Sequence, residues 1–273
     1  MHTLTPVQPG DDLQLSDADA ATPDDFPSKK ELEPLTEERY QRLADLQAAL
    51  VPEGRHAVLV VLQGRDASGK DGTIRKVFSA CNPQGCQVTS FKAPSELELD
   101  HDFLWRVHAA TPRLGTIGIF NRSHYEDVLI ARVRKLVPDE VWQRRYAHIV
   151  AFEQLLADSG VLVLKFFLHI SRAEQAERLR DRIEEPKKRW KFDPGDLDDR
   201  AQWDDYTAAY RDALRWCSTP AAPWFVVPAD DKSTRNYLVT DAIVRALEQL
   251  ELGYPMPDPE LLAAWETRLN GER

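Results

Sequence analysis

Ten consecutive residues are the best equipped for chemistry in this chain: Gly64-Arg65-Asp66-Ala67-Ser68-Gly69-Lys70-Asp71-Gly72-Thr73. Glycines free the backbone to curl its N–H groups around an anion, and a following helix adds the partial positive charge of its N-terminus. The apolar run Ala57–Leu62 precedes the stretch and a helix-like segment to Ala80 follows it. Strand, glycine-bounded loop, Gly-Lys and helix is the layout of a phosphate-binding P-loop. Gly64, Ala67, Ser68, Gly69, Asp71, Gly72 and Thr73 then surround the phosphates, and Lys70 supplies a full charge. Asp71 departs from the usual Ser/Thr, the Mg²⁺-holding position. Asp66 would repel phosphate unless a cation lay between them, which gives it a metal-linked role. The competing reading is a tight turn with a surface lysine.

A second group closes the run Gly115–Phe120: Asn121-Arg122-Ser123-His124-Tyr125-Glu126-Asp127. Enzymes with a P-loop commonly hold Mg²⁺ with an acid at a neighbouring strand end. Here that position is the amide Asn121, with Glu126 and Asp127 about one turn later. Asn121, Glu126 and Asp127 join Asp66 as metal-site candidates, because Mg²⁺ takes oxygen ligands and keeps several waters. Alternatively, the two acids merely favour a helix N-terminus. The planar fork of Arg122 can grip phosphate oxygens at two points or serve a surface ion pair. His124 reads as structural or as polar lining.

A third group is basic: Arg172, Arg178, Arg180, Arg182, Lys187, Lys188, Arg189 and Lys191. Arg178 and Arg182 are four apart and share a helix face. Pro186 should end that helix, and a lid over about 172–200 would close on phosphates and exclude water. A solvated helix laced with ion pairs would look similar. Arg75, Lys76 and Lys92, the last on the second strand, extend the basic surface into a channel for a long anion.

These groups need a scaffold that brings them together. Strands are expected at 57–63, 87–92, 115–120, 161–170 and 224–228. Helices are expected after Thr36 and at 70–80, 96–109, 138–158, 172–184, 200–216, 233–250 and 258–269. Apolar strands separated by helices indicate a parallel sheet covered on both faces, with ligands at the carboxyl ends of its strands. Residues 1–34, acidic and proline-dotted, read as an extended arm. Residues 35–273 read as one domain.

The net charge of −10 over 273 residues argues against a coat for nucleic acid but not against a local basic channel. No apolar run approaches the roughly 18 residues of a membrane span. The N-terminus lacks the basic and apolar regions of a secretory leader. Cys81, Cys86 and Cys217 are an odd, sparse set, better suited to a reducing cytoplasm than to a disulfide framework.

The chain resembles the type-2 polyphosphate kinase family. The likeness spans about residues 35 to 250 in four ordered blocks: Gly64–Gly72, Asn82–Gly85 with Ser90–Pro94, Phe120–Asp127, and the lid with Pro186-Lys187-Lys188-Arg189-Trp190-Lys191. The resemblance implies a three-layer α/β/α P-loop kinase fold with a parallel five-stranded sheet and a helical lid. It implies Mg²⁺-dependent phosphoryl transfer between inorganic polyphosphate and a nucleotide, by a homodimer or homotetramer. By position it assigns phosphate handling and catalysis to Asp66, Lys70, Arg122, Arg178 and Arg182; beside it, the basic pattern itself reads Lys92, Lys187 and Arg189 as holding the outer part of a phosphate chain. Asp71 looks normal for this family. Phe-Asn-Arg-Ser-His-Tyr-Glu-Asp at 120–127 looks like the subgroup that phosphorylates both AMP and ADP. The subgroup acting mainly on nucleoside diphosphates resembles Phe-Asp-Arg-Ser-Trp-Tyr-Asn. Two other readings share the loop: an ATP-dependent kinase, and a nucleotide- or polyphosphate-binding regulatory protein without turnover.

Overall fold

Each apolar run of the sequence forms a strand of one parallel sheet. In the computed structural model, which describes residues 3–271, the elements up to the third strand are α1 (Lys29–Glu53), β1 (Ala57–Gln63), α2 (Lys70–Val77), β2 (Cys86–Ser90), α3 (Glu96–Leu99), α4 (Trp105–His108) and β3 (Ile117–Asn121). After it come α5 (Ile130–Val133), α6 (Asp139–Asp158), β4 (Val161–His169), α7 (Arg172–Glu184), α8 (Gly195–Ala201), α9 (Trp203–Cys217), β5 (Trp224–Pro228), α10 (Lys232–Glu248) and α11 (Pro259–Gly271). The expected arm and domain include residues 1, 2, 272 and 273, which lie outside the described residues.

The sheet order is β2-β3-β1-β4-β5, with every neighbouring pair parallel. β1 is central and wholly buried. Successive side chains of a strand point to opposite faces. Val58, Val60 and Leu62 therefore pack with Leu43, Leu46 and Leu50 of α1 and Leu238 and Ile243 of α10. Leu59 and Val61 join the opposite core, with Ile149 and Phe152 of α6 and Tyr210 and Leu214 of α9. The result is the expected three-layer α/β/α fold. From β1 the chain crosses to β2 on one side, and later to β4 on the other. The carboxyl end of β1 is thus the switch point where such sheets bind ligands.

Several boundaries differ from expectation. α1 begins at Lys29, because Ser28 and Glu31 form a capping box in which Ser28 N–H donates to Glu31 at 2.9 Å. Residues 29–34 therefore belong to the helical body, and Pro34 forfeits a helix hydrogen bond without ending it. The preceding arm packs along the open edge of β5. There Val7 N–H donates to the Trp224 carbonyl (2.8 Å), and Ser218 Oγ–H donates to the Val7 carbonyl (2.6 Å). The segment 96–109 divides into α3 and α4, because the Asp102 side chain accepts from Leu104 N–H and turns the chain. The segment 200–216 divides into α8 and α9 at Gln202. β2 ends at Ser90, so Lys92 lies beyond the strand, just before Pro94, which has no N–H to give a ladder. β3 runs on to Asn121, whose backbone pairs in register with Leu62 and Ser90.

Candidate active site

The loop between β1 and α2 is shaped by close backbone approach. Gly64 has φ +156, and a Cβ there would lie 2.7 Å from the Leu168 carbonyl of β4. Neither central strand can move aside. Gly64→Ala is therefore expected to destabilise the fold by about 2 kcal/mol, read as a lower midpoint in denaturant unfolding. Lys70, the first residue of α2, turns back over the loop and donates to the Gly64 carbonyl at 2.6 Å. Burial pushes its pKa down to about 8, and the nearby Arg122 charge adds to this.

Two arginines brace the loop from behind. Arg178 gives both Nη1 hydrogens to the Ala67 and Ser68 carbonyls, both Nη2 hydrogens to Ala229 and Asp230, and its Nε–H to Glu174. Buried Arg235 of α10 also donates to the Ser68 carbonyl, at 3.2 Å. Gln175 Nε2–H donates to the Asp66 carbonyl. The Ser68 and Thr73 hydroxyl oxygens are buried there without a protein partner, which fits a loop shaped for an anion.

The end of β3 faces this loop. Arg122 lies 2.7 Å from Asp66 and 3.3 Å from Glu126. The Glu126 charge, then that of Asp66, raises the arginine pKa against burial and keeps it cationic. Its backbone is left-handed, φ +62, as is that of Ala67. Such strain in residues with a Cβ persists only where the surroundings enforce it. Asn121 Nδ2–H donates to Asp71 at 2.8 Å, and Lys191 of the turn after α7 reaches Asp71 at 3.6 Å. Burial alone would raise the Asp71 pKa, but that hydrogen bond and the lysine charges hold it below the ordinary carboxylate value. Asp127 pairs with Arg145 at 3.0 Å, yet burial raises its pKa. Arg182 reaches Asp196 of α8 at 2.9 Å.

A cleft of about 780 Å³ gathers most of the expected residues. Asp66, Ala67, Gly69, Lys70, Asp71, Gly72, Lys92, Asn121, Arg122, Glu126, Asp127 and Arg182 line it, and Phe91, Leu99, Ile130, Leu136 and Val137 give it an apolar wall. Gly64, Ser68 and Thr73 are buried beneath the loop. Arg75 and Lys76 are exposed on the last turn of α2, outside the lining. Lys187 and Arg189 are likewise exposed on the turn after α7, outside the lining, and Arg189 Nε–H donates to the Ile183 carbonyl. Arg178 also stands apart from the cleft, because all its donors are committed to the loop's back and neighbouring groups. Sequence reading missed Arg106 and Arg145, which line the cleft, and Arg235. They sit on helices outside the three groups of chemistry-bearing residues, where no local motif marks them. His124 is buried away from the cleft, at 0% exposure.

The loop lysine Lys70, Arg122 at the neighbouring strand end and the cations Arg182 and Lys191 line one cleft at the switch point of a parallel sheet, the arrangement of a phosphotransferase. The chain belongs to the polyphosphate kinase 2 family, whose model matches residues 27–253. It is 56% identical over 218 residues to the AMP/ADP-polyphosphate phosphotransferase of Meiothermus ruber, covering 80% of this chain and 82% of the relative. It is 46% identical over 246 residues to the ADP-polyphosphate phosphotransferase of Rhodopseudomonas palustris, covering 86% and 85%. The crystal structure of polyphosphate kinase 2 from Arthrobacter aurescens matches with a TM-score of 0.90 at 38% identity, over 100% of both chains.

Proposed function

We propose that this protein moves the terminal phosphate of inorganic polyphosphate to AMP and ADP, giving ADP and ATP. The observation that carries the reading is the joint lining of one cleft by Lys70, Arg122, Asp66 and the lid residues Arg182 and Lys191. The family membership supports the donor. The 56% identical relative, named for both acceptors, supports AMP together with ADP.

The donor's end phosphate lies against the loop, beside Lys70 and Arg122. An acceptor phosphate oxygen attacks the end phosphorus in line, and the bond from that phosphorus to the bridging oxygen breaks. Lys70 and Arg122 neutralise the charge on the transferring group. The nucleophile is already anionic, so no side chain need remove a proton. Arg182 and Lys191 close over the site and exclude water. Asp66, Asn121, Glu126 and Asp127 offer oxygen donors on the same cleft. Among the described residues no three His, Cys, Asp or Glu converge as a ready-made cage. This donor set fits Mg²⁺, which is held by few protein oxygens, substrate phosphates and waters. Bound there, Mg²⁺ would supply charge neutralisation at the phosphate oxygens.

Lys92, on the cleft wall outside β2, meets the tail of a long donor. Lys92→Ala is expected to raise the KM for long-chain polyphosphate several-fold with kcat nearly unchanged, and to leave tripolyphosphate kinetics alone. Equal losses with both donors would remove it from the tail path. Residues from 29 onward act as one catalytic domain, with 172–200 as its lid. The enzyme works in the cytoplasm as a homodimer or homotetramer.

The test is production of ADP and ATP from AMP, long-chain polyphosphate and Mg²⁺, with Lys70→Ala protein as control. Both products from wild type alone support the reading. ATP from ADP but nothing from AMP would restrict the acceptor to ADP. No product from either acceptor would overturn the assignment.

A further inference from the structure

Beneath the strand end that carries Arg122 lies a buried polar cluster that takes no direct part in phosphate contact. Lys165, in the middle of β4, is fully buried, as are His124 and Tyr125, and Glu153 of α6 is 1% exposed. The Lys165 ammonium has three hydrogens, and all are placed. One goes to Glu153 Oε2, one to the Tyr125 hydroxyl oxygen at 2.9 Å and one to the Cys217 carbonyl at 2.7 Å. Glu153 Oε1 accepts from Tyr125 O–H at 2.9 Å and lies 3.1 Å from His124 Nε2. Trp224 of β5 packs its ring edge-on against Tyr125, 4.7 Å between centroids. The cluster thus joins α6, β4, the end of α9 and β5 to two adjacent residues of one short turn.

Those two residues sit between the site's working groups. Arg122 and Glu126 face the cleft, and Ser123, His124 and Tyr125 between them are buried. Ser123 Oγ accepts from buried Gln63 Nε2–H at 3.1 Å. Arg122 itself is held at φ +62, a conformation that costs free energy and must be imposed from outside. Stability is a poor reason to retain an ion pair in this core. An apolar pair of similar volume is often neutral or more stabilising than a buried salt bridge, while removing one partner leaves a costly unpaired charge.

We infer that Glu153, Lys165 and Tyr125 are positioning residues, which fix the turn 123–125 from below and thereby aim Arg122 and Glu126 at the transferring phosphate. This rests on the phosphotransferase reading above. None of the three lines the cleft. They act by denying the turn any other arrangement, and a misplacement of about 1 Å at such a site costs on the order of a hundredfold in rate.

The test compares full-length wild type, Tyr125→Phe and the double variant Glu153→Gln/Lys165→Met. Three readouts are taken: thermal unfolding, steady-state kinetics with polyphosphate and AMP or ADP, and calorimetric affinity for inorganic tripolyphosphate. The expected result for the double variant is a wild-type Tm together with a kcat at least tenfold lower, an unchanged nucleotide KM and weaker tripolyphosphate binding. Tyr125→Phe should show the same split to a smaller extent. A stably folded double variant with wild-type kcat and tripolyphosphate affinity would overturn the inference, as would lowered Tm with both values intact. Should the double variant fail to fold, Tyr125→Phe decides, and wild-type values there overturn it. A wild type that binds tripolyphosphate but transfers nothing would sink the functional reading alone. The affinities, and the Arg122 backbone angle in a crystal structure of Tyr125→Phe, would still decide the positioning claim: wild-type values in both would reject it.

Discussion

Lys70→Ala is expected to lower kcat by about a thousandfold or more, the upper range for removing one donor from a charge-stabilising site. The Lys70 ammonium is turned into the loop itself, 2.6 Å from the Gly64 carbonyl. Its removal leaves the anion with backbone N–H groups and Arg122. The fold should survive, because Lys70 bonds only to carbonyls of its own loop, Gly64 and Arg65. Unfolding at an unchanged temperature, with turnover lost, is the pairing to look for. A variant that keeps more than about a tenth of wild-type turnover would contradict the role. The same residue sets a pH dependence. With its pKa near 8, Lys70 is cationic below that pH and neutral above it, so kcat/KM should fall as pH rises through about 8. Phosphate bound beside it favours the cation, so the fall in kcat should lie at higher pH, since kcat/KM reports the free enzyme and kcat the complex. The Ala variant should lose this limb. For stability the sign is opposite. The folded pKa lies below the ordinary 10.5, so the cost of burying the cation is present below pH 8 and fades as pH rises toward 10.5.

Arg122→Ala is expected to cost about a hundred- to a thousandfold in kcat, and Arg122→Lys nearly as much. The guanidinium reaches Asp66 through Nη2 and Glu126 through Nη1, a fork that an ammonium cannot reproduce. Without it, two carboxylates face the donor phosphate unscreened, so polyphosphate binding should weaken alongside turnover. Steady-state kinetics with tripolyphosphate separates the two effects. Recovery of most activity in Arg122→Lys would mean that charge alone matters and that the planar geometry does not.

Much of this was legible in one sequence. Alternation of apolar β-branched runs with helical patterns prescribes a parallel sheet, because strands buried on both faces need no polar alternation. The Gly64–Thr73 spacing prescribes a tight glycine-bounded loop between strand and helix, and the structure has that loop between β1 and α2. Both are local signals, fixed within a few residues. Boundaries were less legible where a single side chain decided them. The Ser28–Glu31 box started α1 early, and Asp102 split a predicted helix in two.

What only the tertiary structure decided was which cations face the cleft. Arg178 and Arg182 are four apart on α7, alike by type and spacing. Packing of α7 against the loop and the β5–α10 connection commits the first to backbone carbonyls, while the second reaches the cleft. Arg75 and Lys76 directly follow the phosphate loop, yet the rotation of α2 leaves both outside the lining. Arg106, Arg145 and Arg235 arrive from distant helices. The Glu153–Lys165 pair likewise joins α6 to β4 only because the sheet buries both. Residue types and local spacing specify what a group can do, but long-range packing determines whether it faces the substrate, braces the loop that does, or meets water.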